Sequence, residues 1–99
     1  MKNLYSLLFA VFFLSFNLSA QTNHNVSAGN YYYTPTNLTV NVGDTVTWYN
    51  DGGFHDVNGD INSQTGNSFG NPSPFYIAPV TGPAPLGYHV FNVAGNYEY

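Results

Sequence analysis

The chain has 99 residues with a single basic side chain, Lys2, five carboxylates and a formal net charge of −4. That balance excludes nucleic acid and anionic lipid as partners, because both are bound through Lys and Arg that displace counterions. No cysteine is present, so no disulfide supports an exported chain of this size and burial alone must hold it together.

Residues 1–20 read as a secretory signal peptide. Lys2 is the positive start, Leu4 to Phe16 the apolar run, and Ser19-Ala20 the small residues before a cleavage at Gln21. The run is shorter than the roughly twenty residues a spanning helix needs, so no membrane insertion is expected. Export to the periplasm or the extracellular space follows, with Asp44, Asp51, Asp56, Asp60 and Glu98 as the strong charges of the mature chain, residues 21–99. A mature chain under about eighty residues is near the lower limit for an unaided core. The expectation is therefore that 21–99 is the N-terminal part of a β-sandwich domain, cut inside its closing strand, with an unpaired sheet edge and poor stability.

Asn23 to Ala28 alternates weakly, and Tyr31-Tyr32-Tyr33 predicts a short strand closed by Pro35, which restricts the preceding backbone to extended forms. Leu38, Val40 and Val42 point one way and Thr39 and Asn41 the other, the pattern of a half-buried strand. Gly43-Asp44 breaks it. Thr45 to Tyr49 forms a second alternating run rich in β-branched and aromatic residues, with Val46 and Trp48 on one face. Asn50-Asp51-Gly52-Gly53 is turn chemistry, and His55 to Val57 opens a third strand ended by Asn58-Gly59. Asp60 to Leu86 reads as a long loop holding five of the chain's six prolines. Alternation resumes at Gly87 to Val93 with His89, Phe91 and Val93 on one face, Ala94-Gly95-Asn96 turns, and Tyr97-Glu98-Tyr99 begins a last strand. No helical period survives in the mature chain. The expected fold is all-β, a Greek-key sandwich.

The chemistry concentrates in Leu38 to Asn50 followed by Gly53-Phe54-His55-Asp56-Val57: two strands around a tight turn, then one histidine delivered from a loop beside an aromatic core. That is how a metal ligand is presented. The stretch resembles the first half of a plastocyanin-like blue copper domain, a cupredoxin, and Val90 to Tyr99 resembles the strand pair that leads into the family's cysteine. The resemblance covers about Tyr33 to Val57 and Gly87 to Tyr99.

It implies a type 1 copper ion, one in the full-length protein, held by two imidazoles, a thiolate and a weak axial ligand. His55 takes the place of the first histidine and is the one ligand carried over. Cysteine, second histidine and methionine would follow Tyr99. Phe54 and Gly53 would shape the apolar loop, and Trp48, Val46 and Val40 would hold the sandwich. Many relatives have proline before that histidine and asparagine after it, where this chain has Phe54 and Asp56. An ionised aspartate accepts hydrogen bonds but donates none. The implied function is single-electron transfer between redox protein partners, by a monomer that transforms no substrate and is not an enzyme.

Other patterns have plainer readings. His89 alternates with Phe91 and Val93 and reads as a strand histidine packed on aromatic neighbours, and His24 lies in a poorly ordered N-terminus. Asp56 to Asn62 alternates oxygen-bearing side chains like a calcium loop, but Ile61 stands where glycine is needed and Asn67 where glutamate is, so a polar hairpin fits better. Gly66-Asn67-Ser68-Phe69-Gly70 has the spacing of a nucleophile elbow, yet the prolines after it forbid the helix such a turn requires. Asp51, Asp56 and Asp60 sit in turn contexts that account for them. Most of the tyrosines and Trp48 fall inward or beside Pro and Gly, which favours packing over a sugar-stacking platform. The rival function is a metal-free exported β-sandwich, an adhesion or carbohydrate-binding module. A domain of a larger copper oxidase or reductase would need a much longer chain.

Overall fold

The computed structural model describes residues 21–99, so the signal-peptide reading of residues 1–20 lies outside the described residues. The described chain is all-β. Six strands follow in order: β1 Asn23–Gly29, β2 Tyr32–Thr34, β3 Asn37–Val40, β4 Thr45–Asn58, β5 Tyr76–Val90 and β6 Gly95–Glu98. They form a mixed four-stranded sheet, β2-β1-β4-β5, and a two-stranded sheet, β3-β6. Among the described residues no helix is long and apolar enough to cross a membrane.

β1 and β2 make a hairpin in which Ser27 faces Thr34 and Gly29 faces Tyr32. β1 then runs parallel to β4, from Asn23 opposite Thr45 to Ala28 opposite Asn50. β4 and β5 form a long antiparallel ribbon from Thr45 opposite Val90 to Asn58 opposite Tyr76, with three irregularities in register. In the second sheet Asn37 faces Glu98 and Val40 faces Gly95.

Both sheets contribute to one core. Val26, Ala28, Val46, Trp48, Val57 and Leu86 come from the larger sheet, Val40 and Tyr97 from the smaller, and Phe75 and Phe91 from just outside the two ends of β5. Phe75 organises the aromatic part. Its ring centroid lies 5.4 Å from Trp48, 5.1 Å from His89, 5.3 Å from Phe91 and 6.2 Å from Tyr97. Each such ring buries about 150–250 Å² and contributes up to about 4–6 kcal/mol at about 25 cal/mol per Å², so a handful of them dominates a chain this small.

Two expectations are corrected by this architecture. The segment Asp60 to Leu86 is not one loop, because its second half is β5, which runs through Pro79, Pro83 and Pro85. β5 can carry three prolines because it is the outermost strand of its sheet, where a missing N–H on the unpaired side breaks no ladder bond. Likewise Asn50 to Gly53 does not separate two strands. β4 continues through it as a bulge, with the register shifted between Asn50 and Gly53.

The turn after β3 shows why Val42 leaves the face it shares by alternation with Val40: Val42 is exposed while Val40 is buried. Asp44 takes over the local geometry. Its carboxylate accepts the backbone N–H groups of Thr22 and Asn41 at 2.9 Å each and stands 3.0 Å from His24 Nε2. Its backbone carbonyl accepts Phe91 N–H at 2.8 Å. One buried residue thus joins the chain before β1, the end of β3 and the end of β5. Those donors, Asn41 first, then Thr22 and His24, lower the Asp44 pKa to about 2.

At the other edge, Asn71 substitutes for a strand. Its amide donates to Glu98 O at 2.7 Å and accepts from Glu98 N at 2.9 Å, which satisfies β6 at that position.

Candidate functional site

The site is built around His55, in the second half of β4 opposite Val80 of β5. What brings it there is the bulge. Asn50 is fully buried, and its Nδ2 donates to Gly53 O and to Val80 O at 2.8 Å each, while its Oδ1 accepts from Gly52 N at 3.0 Å. Gly53 has φ +86, and a Cβ there would lie 2.6 Å from Asn30 Oδ1 and 2.8 Å from His55 Nε2. Only glycine leaves the imidazole room to reach across to the β1–β2 turn, where His55 Nε2 and Asn30 Oδ1 are 3.2 Å apart.

The half-buried imidazole lines an open cavity of about 790 Å³. The walls are the β1–β2 turn with Asn30 to Tyr33, the strand segment Phe54 to Asp56, the loop from Ile61 to Gln64, Phe69, and Tyr99. Tyr33 donates its hydroxyl to Asp56 O at 2.6 Å, Tyr32 donates to Asp51 Oδ2 at 2.6 Å, and Tyr99 donates to Pro35 O. Burial pushes the Tyr99 and Tyr33 hydroxyls up from the usual phenol range, and the bond to Asp51 does the same for Tyr32. All three stay protonated donors near neutral pH. Tyr31 stands fully exposed at the rim with φ 68, an uncommon left-handed conformation for an aromatic residue.

His55 is the one sequence-predicted site residue, and the other histidines lie apart from it. His24 is not in a disordered tail but on β1, paired with Asp44. His89 is the strand histidine expected, stacked on Phe75 at 5.1 Å and edge-on to Phe91 at 4.7 Å, and burial pulls its pKa below the usual value. Among the described residues no group of three or more His, Cys, Asp or Glu comes together as a metal site.

Comparison with protein-family models finds no match, and comparisons with curated proteins and with solved structures find none either.

These 99 residues supply one accessible imidazole at the cavity and no thiolate anywhere, so by themselves they do not fit a blue copper ion. The calcium-like run does not fit a cation either: Asn58 Oδ1 accepts the N–H groups of Asp60 and Ile61 at 3.0 and 2.9 Å, and Asn62 Oδ1 accepts from Gln64 at 2.9 Å. Those oxygens are occupied by local turns. Ser68 Oγ likewise accepts from Gly70 N at 3.0 Å in a turn, as its context implied.

Sequence reasoning missed Asn30 and took Asn50 for a turn former. The signal for Asn50 was present as an amide at an inward position of a strand otherwise filled by Val46 and Trp48. The tyrosines were misjudged in part: Tyr31, Tyr32, Tyr49, Tyr76 and Tyr88 are exposed, Tyr33 and Tyr99 half-buried, and Tyr97 buried.

Proposed function

We propose that the chain carries the histidine-bearing part of an exported, plastocyanin-like domain that binds one copper ion and passes single electrons between protein partners. The observation that carries this reading is that His55 and Tyr99, forty-odd residues apart in sequence, border the same cavity. Residues that followed Tyr99 would begin at the wall of that cavity. The resemblance puts the thiolate, the second imidazole and the axial ligand there, and it makes the two sheets parts of a Greek-key sandwich. A parallel β1–β4 pair beside antiparallel partners, facing a second sheet across an aromatic core, supports that topology. Bound copper would supply one-electron redox chemistry. This chain's part is to hold one imidazole nitrogen at a fixed orientation and to keep the floor of the cavity rigid.

A second reading, a metal-free exported module that binds neutral carbohydrate, draws on the exposed rings of Tyr31, Tyr32 and Phe54 around the same cavity. The coding sequence beyond Tyr99 and a Cu(II) titration separate the two. The copper reading expects a Cys, then a His and a Met, within about a dozen further residues, and an intense visible band from that longer chain which His55→Ala abolishes. The 99 residues alone should give no such band. A reading frame that stops at Tyr99, or continues without a nearby thiol, ends the copper proposal.

A further inference from the structure

We infer that Asn50 is a positioning residue for His55, acting through the bulge and through the facing strand; this rests on the reading of His55 as the functional group. Asn50 occupies an inward strand position between Trp48 and Val57, and all three are fully buried. Packing alone would favour a β-branched apolar side chain there. An amide survives such burial only when its polar atoms are satisfied, and this one is satisfied on both sides.

The three bonds all fall on backbone that frames the imidazole. Gly52 N and Gly53 O belong to the bulge that precedes Phe54 and His55, and Val80 is the residue opposite His55 across the ladder. The amide therefore fixes the bulged backbone relative to β5, and with it the direction in which His55 leaves β4. Gly82, the partner of Gly53 in the register, completes the clamp, since a Cβ there would lie 2.6 Å from Asn50 Cγ. Glycine at this point of the facing strand leaves room for the amide. Asn30 then meets the imidazole from the β1–β2 turn, so that the ring is aimed from its base by Asn50 and steadied at Nε2 by Asn30.

NMR on the whole chain tests this without any metal, so its failure is distinguishable from failure of the copper reading. In the unaltered chain the Gly52 amide should exchange with solvent about tenfold or more slowly than an unprotected amide, because it donates to Asn50. Exchange at the unprotected rate overturns the proposal. In Asn50→Ala the ring resonances of His55 should move to free-imidazole values while those of His24 and His89 stay in place. Gly82→Ala, which pushes the amide away from the other side, should move the same His55 signals. His55 resonances that remain unchanged in either variant, with the sheet intact by amide dispersion, overturn the proposal. Should Asn50→Ala fail to fold, the Gly52 exchange rate and Gly82→Ala decide it.

Discussion

Replacing Gly53 by alanine perturbs one point at which backbone strain and a side-chain contact coincide, and Gly66 offers the control that separates them. Both glycines have left-handed backbones, φ +86 and φ +78, but the added Cβ at Gly53 would strike Asn30 Oδ1 and His55 Nε2, whereas at Gly66 it would meet open space. An L-residue in that conformation costs about 1–2 kcal/mol, and the stiffer unfolded chain returns about 0.4–1 kcal/mol at either position. Gly66→Ala should therefore cost about 1 kcal/mol or less. Gly53→Ala also forfeits the His55–Asn30 bond, a partly exposed one whose loss adds about 0.5–1.5 kcal/mol. Its total cost is about 2 kcal/mol, which at about 5 °C per kcal/mol for a domain this small lowers the Tm by about 10 °C. Urea unfolding of the two variants against the parent gives both numbers, provided the slopes agree. Equal losses at the two positions, with His55 resonances undisturbed in Gly53→Ala, would refute the claim that Gly53 exists to make room for the imidazole.

Two predictions concern pH. The Asp44 carboxylate has a folded pKa lowered to about 2, below the ordinary value, so its stabilisation is fully present above about pH 4 and is lost as pH falls toward 2. Asp44→Asn should be less stable than the parent at pH 7 and should show a flatter stability profile between those limits, measured by urea midpoints. An unchanged acid limb would mean that other carboxylates cause it. His89 is shifted in the same direction by a different cause: burial disfavours its charged form and lowers its folded pKa, so the unfolded chain binds the proton more readily and stability falls as pH drops through about 6.5. His89→Phe should keep the stack on Phe75 and remove that dependence; a variant whose midpoint still falls across the same interval counts against the assignment.

The strand pattern was legible where one face is apolar and the other polar. Val46 and Trp48 announced β4, and Tyr97 on β6 is buried as a strand alternating with Glu98 would have it. Legibility failed where local chemistry pointed away from the tertiary outcome. Three prolines argued for a loop at β5, and only its place at the edge of the sheet makes them tolerable. Asn50-Asp51-Gly52-Gly53 argued for a turn, but pairing with β5 across the shifted register, together with the bond from Asn50 to the Val80 carbonyl thirty residues away, makes the same residues a bulge within one strand. His55 was singled out through the resemblance of Leu38 to Val57 to a blue copper domain, and the structure places it on the wall of the cavity. Asn30 could not be, because its role exists only once the β1–β2 turn lies beside β4.

Trp48 shows how magnitudes rank these effects. Its indole is wholly buried between Phe75, 5.4 Å away, and Tyr99, 5.6 Å away and edge-on, yet its Nε1–H has no hydrogen-bond partner. An unpaired buried donor costs about 1–3 kcal/mol. Burying about 200 Å² of ring at about 25 cal/mol per Å² returns about 5 kcal/mol, so packing wins and the indole stays. Phenylalanine would keep most of the ring contact, leave a small void worth about 1 kcal/mol and remove the orphaned donor. Trp48→Phe should therefore be neutral or stabilising by about 1 kcal/mol, while Trp48→Ala should cost about 3–5 kcal/mol. Urea unfolding of the pair tests the ranking: if Trp48→Phe loses nearly as much as Trp48→Ala, the indole N–H is satisfied in solution and the ranking fails.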